Sequence, residues 1–159
     1  MQNIQSYLTI GGLLLFSLTS LRFNSAILTT STSDLHNKVY LTAFSLADDM
    51  IEEMKVKGFD QTTLPFPTNT PSTLTQNLGP ETGEVYPNFN DVDDFNGYSK
   101  TVDEPHAEGY VVSCTVQYVE ANNPDVVSST QTFFKKATVT VSSPYMNHAV
   151  TLSFIFTLK

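Results

Sequence analysis

The chain has 159 residues, enough for one domain with an appended element, and its 16 acidic and 8 basic residues leave a formal net charge of −8. That balance excludes a nucleic-acid partner, because phosphate binding needs clustered Lys and Arg and the one basic pair is Lys135-Lys136. A single cysteine, Cys114, excludes an intramolecular disulfide and a cysteine-based zinc site, while a charged fraction of 15% suits an extracellular surface.

The first 21 residues, MQNIQSYLTIGGLLLFSLTSL, contain no charged side chain. Three readings are open: a removable signal peptide, a membrane anchor, or a hydrophobic peg that packs against copies of itself. A secretory signal begins with a basic region and ends in a small-residue cleavage site. Met1 to Ser6 holds neither Lys nor Arg, and no A-x-A pattern follows. As a span, the 15 residues Tyr7 to Leu21 make a helix of about 22 Å against a hydrocarbon core of about 30 Å. Extending it encloses Arg22 and Asn24, which must snorkel or find a partner. Such a segment gains from neighbours. Gly11-Gly12 fits close approach of helix backbones and equally a loosened anchor helix. The residues expected in an assembly core are Tyr7, Leu8, Ile10, Gly11, Gly12, Leu13, Leu14, Leu15, Phe16, Leu18 and Leu21.

Residues 29–33 (TTSTS) are poor helix formers, and Ser33 and Asp34 are good N-cap types. The sequence therefore predicts an extended or irregular stretch within 22–33, a hydrophobic stem over 1–33 and a globular domain over 34–159. From Leu35 the pattern is helical: Leu35, Val39, Ala43, Leu46, Met50 and Met54 recur every three or four residues, widened by Phe44, Ala47 and Ile51. Asp48, Asp49, Glu52 and Glu53 fall on the other side as a solvated face, with Lys57 in reach of Glu52 or Glu53 and Gly58 placed to end the helix. Residues 61–90 hold five prolines and no sustained period, a long surface loop whose Thr/Ser/Pro content would also suit O-glycosylation.

The last third alternates with period two. Tyr110, Val112, Cys114, Val116 and Tyr118 share one strand face; Ala137, Val139 and Val141 mark a second strand, and Val150, Leu152, Phe154, Phe156 and Leu158 a third. The expected fold is α+β: a long N-terminal helix, apolar in its first half, packed on a C-terminal antiparallel sheet of three or more strands. Cys114 then reads as a buried small hydrophobe.

This order resembles that of type IV pilins and pseudopilins. SLADDMIEEMKVKGFD (45–60) is similar to the end of the long helix in minor pilins of the mannose-sensitive haemagglutinin type. FNDVDDFNGY (89–98) is similar to their FxDxDDxxGY-like segment, and GYVVSCTVQYVE and KKATVTVSSP follow in the same order. The resemblance implies a structural subunit of an extracellular filament on a bacterial surface. It would be a homo-oligomer held in the inner membrane before assembly, with apolar helices in the core and sheet and loops outside. A membrane-tethered minor pilin or pseudopilin, and an anchored adhesive module using loop 61–90, are the alternatives. The family's leader, ending in Gly before Phe-Thr-Leu-Ile-Glu, has no counterpart here, and Gln5 stands where a pilin carries the glutamate that pairs with a neighbour's amine. Arg22 stands where many pilins carry a helix-bending proline. The chain is expected to be a processed form, or a relative that never used the leader.

The acidic segment offers Asn88, Asn90, Asp91, Asp93, Asp94 and Asn96 as oxygen donors. Calcium wants such clusters, and some pseudopilins bind it, which makes Asp91, Asp93 and Asp94 the candidate ligands. The register is not that of an EF-hand, because Asn96 falls where its glycine belongs; a set of Asx-turns launching a strand at Gly97-Tyr98 is the alternative. His36, His106 and His148 lack metal-ligand spacing, no nucleophile or phosphate-loop motif occurs, and neither an enzyme nor a small-molecule substrate is expected.

Overall fold

The computed structural model describes all residues except Met1, Pro65, His106 and Lys159, and the Gln2 side chain. Of the histidines considered above, His106 therefore lies outside the described residues. The chain divides into two compact units, residues 1–38 and 39–159, five residues beyond the boundary expected from TTSTS.

One helix, α1, spans Gln2–Lys55, 54 residues or about 80 Å. The irregular stretch expected within 22–33 is absent: the helix continues through it. Poor propensity costs only tenths of a kcal/mol per residue, and neither proline nor glycine interrupts the chain between Gly12 and Gly58. The hydroxyls of Thr29, Thr30 and Thr32 turn back to the carbonyls of Ser25, Ala26 and Leu28 at 2.9, 3.0 and 3.0 Å. They are satisfied without leaving the helix.

Among the described residues of the second unit five strands follow: β1 (Ser99–Glu104), β2 (Ala107–Glu120), β3 (Asn123–Val127), β4 (Phe134–Ser142) and β5 (Val150–Thr157). The antiparallel order is β1-β2-β4-β5, with β3 paired to the far end of β2. β1 is polar apart from Val102 and β3 is exposed throughout. The helical residues Val39, Ala43, Ala47, Met50, Ile51 and Met54 pack on Tyr110, Val112, Cys114 and Val116 of β2 and Ala137, Val139 and Val141 of β4. Ala43 and Ala47 are fully buried, and their small side chains let the helix lie close to the sheet. Leu35 and Phe44, expected in this stripe, are exposed.

The helix exit also differs from expectation. Lys57 donates its amide to Met54 and its ammonium to the Phe89 carbonyl, while Glu52 pairs with Lys55 instead. Gly58 is not a left-handed cap. Its N–H donates to the Asn90 carbonyl and its carbonyl accepts from Val92, both at 3.0 Å, and a Cβ there would collide with the Leu64 side chain. Gly97 does need its glycine: its φ of +80° turns the acidic segment into β1. Loop 61–90 is anchored near its middle and at its end, with Leu74 and Phe89 buried and Phe89 packed edge-on against Tyr86, Phe95 and Tyr98.

Met54 is fully buried and Val56, two residues on, is 81% exposed. Met54→Ala is expected to cost about 2–5 kcal/mol and Val56→Ala within about 0.5 kcal/mol, read by urea unfolding followed through tyrosine fluorescence.

Candidate functional site

Two features stand out, one in each unit. In the first, every described residue from Asn3 to Lys38 except the half-buried Gly11 is exposed. The exposed set includes nearly all of the expected assembly core: Tyr7, Leu8, Ile10, Gly12, Leu13, Leu14, Leu15, Phe16, Leu18 and Leu21, joined by Ile4, Phe23, Ile27 and Leu28. These side chains cover the helix on all sides, a distribution that belongs in lipid or in a bundle. Thr9, Ser17 and Thr19 return their hydroxyls to carbonyls one turn back at 2.6–2.9 Å, so that few polar groups on this surface need water. The helix is long and apolar enough to cross a membrane by length and composition.

The second feature is an acidic centre where the helix exit, loop 61–90 and β4 converge. Adjacent lysines on β4 point to opposite faces. Lys136 reaches Asp125 at the surface, while Lys135 is fully buried. The Lys135 ammonium donates to the Phe59 carbonyl (2.7 Å), Asp60 Oδ2 (2.8 Å) and Asp93 Oδ1 (2.7 Å), using all three protons. Asp60 also accepts from the backbone and hydroxyls of Thr62 and Thr75, and Tyr118 donates to the Thr75 carbonyl at 2.8 Å. Burial works to raise the Asp60 pKa, but bonds from Lys135 and Thr62 outweigh it and bring the carboxyl to about 2.

The candidate ligands occupy one turn but face different ways. Asp91 Oδ1 accepts from the backbone of Asp93 and Asp94 (3.0 and 3.3 Å) in an Asx-turn, while Asp94 Oδ2 reaches back to the amides of Asn90 and Asp91 (2.9 and 3.1 Å). Asp93 is committed to Lys135. Burial, then a hydrogen bond and repulsion from Asp93, push Asp91 up to about 9. A proton on Asp91 supplies the bond that the orphaned Oδ2 atoms of Asp91 and Asp93 otherwise lack. Asn96 serves the fold, donating to the Leu78 carbonyl and accepting from the Val116 amide.

Asp94 instead keeps company with Glu81 and Glu84, whose carboxylate oxygens come within 4.8 Å of it and of each other. Burial, then the hydrogen bond with Glu84, raise Glu81 to about 7. Neither glutamate was singled out from the sequence; the one signal was their position in PETGE, a turn-rich acidic stretch directly before the aspartates. Cys114 is buried and burial pushes its thiol up to about 12, as an inert core residue.

No family model matches the chain, and no curated protein and no solved structure matches it.

Lys135→Met leaves two buried aspartates without their cation and is expected to cost about 3–5 kcal/mol. Adding Asp60→Asn and Asp93→Asn should recover much of that loss, as measured by urea unfolding. Acid provides a second test. A carboxyl depressed in the folded state stabilises above its ordinary pKa of 3.8 and loses that contribution as pH falls through about 2. Unfolding free energy should therefore fall by roughly 2 kcal/mol between pH 4 and pH 2 on account of Asp60, and Asp60→Asn should flatten that limb.

Proposed function

We propose that the chain is a structural subunit of an extracellular, type IV pilus-like filament, assembled through its N-terminal helix. The observation that carries this reading is the apolar surface from Ile4 to Leu28, whose large side chains are each 52–72% exposed. Burying such a side chain is worth about 1.5–3 kcal/mol; ordering the segment and its two glycines offsets part of that. Arg22 is the only charged residue before Asp34, and the continuous helix carries the apolar stretch past it. Lipid satisfies this surface in a membrane, and copies of the same helix satisfy it in a filament core. The core of the second unit supports the same division of labour, because it closes within residues 39–159 and leaves the helix surface for assembly. Gln5 offers a hydrogen bond but no charge to a neighbour, so apolar packing carries the docking.

Leu14→Lys tests this. A lysine in an apolar bundle or bilayer centre costs about 2.5–3.5 kcal/mol, roughly a hundredfold per subunit. Electron microscopy of material sheared from cells should show uniform fibres for the unmodified chain and none for Leu14→Lys, with circular dichroism of the purified variant unchanged. Normal fibre yield from Leu14→Lys would contradict the reading, as would membrane-only material from the unmodified chain.

A further inference from the structure

We propose that Glu81, Glu84 and Asp94 form a calcium site in the second unit, backed by the side-chain oxygen of Asn90. The three carboxylate oxygens lie within 4.8 Å of one another. Oxygens on opposite sides of one calcium ion are about 4.6–5.2 Å apart, from Ca–O distances of about 2.3–2.6 Å. Magnesium, with bonds of about 2.0–2.1 Å and an octahedral demand, tolerates an irregular set of side-chain oxygens less well.

Proximity of acids is not the argument by itself. Asp94 is 1% exposed, and two backbone amides hold its Oδ2. Its other oxygen, Oδ1, is buried with no hydrogen-bond partner, and so are Glu81 Oε2 and Asn90 Oδ1. Three acceptors buried without a donor are costly. Protonating Asp91 relieves the Asp91–Asp93 pair, but it does nothing for these three. The Asn90 amide donates to Glu84 Oε1 at 2.8 Å and so orients that carboxylate. Among the described residues no Lys or Arg pairs with Glu81, Glu84 or Asp94. A divalent cation with oxygen ligands answers both the charge and the missing donors, and it would clip the 80–84 turn to the acidic turn that leads into β1. Asp94 is the one residue shared with the set expected from the sequence. The site lies wholly in the second unit, so it stands or fails independently of filament assembly.

The test uses the full chain in detergent, stripped with EGTA and then titrated with calcium chloride. Isothermal titration should count one calcium per chain, and near-ultraviolet circular dichroism should show Tm rising by roughly 5–10 °C at large excess. Magnesium chloride at the same concentration should give a smaller rise. Glu84→Gln should lose the calcium response while its metal-free Tm stays at or above that of the unmodified chain, since a carboxylate contact has been relieved. If Glu84→Gln fails to fold, the titration of the unmodified chain decides. No binding heat and no Tm shift there, or an undiminished shift in a folded Glu84→Gln, would overturn the site and leave carboxyls that share a proton.

Discussion

The second unit is organised around one ammonium group. Lys135 reaches from the middle strand β4 to the Phe59 carbonyl and Asp60, just past the helix, and to Asp93 in the acidic turn. A cation without solvent tolerates this only when each proton has an acceptor and the charge is met. That requirement dictates where the chain goes after α1. Residues 58–60 must lie against the acidic turn, which the Gly58 pairing with Asn90 and Val92 accomplishes, and Asp60 must then gather Thr62 and Thr75 so that the loop folds back over β2. A buried ion triad is weak evidence of net stability. Its consequence here is register: it specifies which turn meets which strand.

With that unit closed on itself, the first 38 residues are left with a different solvent problem. Their helix carries large apolar side chains on all sides, at high exposure, and water is a poor neighbour for them. The hydroxyls of Thr9, Ser17, Thr19, Thr29, Thr30 and Thr32 are bonded to their own helix and so do not require water. A surface of this kind suits lipid or sister helices, and the proposed assembly would exchange the first for the second.

Much of this was legible in the residues. Period-two alternation marked β2 and β4 because each has a dry face and a wet face, and β5 less sharply, since its residues are at most half-buried, Phe154 is exposed and Leu158 falls outside the strand. The three-and-four spacing from Val39 to Met54 marked the buried stripe of α1. β1 and β3 were not legible, because SKTVDE and NPDVV are edge strands with almost no buried side chain to set a period. The expected break within 22–33 gave too much weight to propensity, which threonines bonded back to their own helix overcome at small cost. Lys135 could have been found, since it shares parity with Ala137, Val139 and Val141 and so had to point inward. In the acidic centre the turn was visible, but the division of labour was not. Asp93 goes to a lysine some forty residues away and Asp94 to glutamates across a loop, contacts that no spacing within FNDVDDFNGY encodes.

The most direct test of the central claim, that the apolar helix is buried against copies of itself, is cross-linking at the helix. Gly11→Cys adds a thiol where a side chain meets no other atom of its own chain, and the native Cys114 is too buried to compete. In filaments sheared from cells, oxidation or a short bis-maleimide should convert most chains to dimers through position 11, and dissolving the filaments in detergent before the reaction should abolish the product. Cysteines that remain monomeric in intact filaments, and react instead with a lipid-soluble maleimide, would contradict the account.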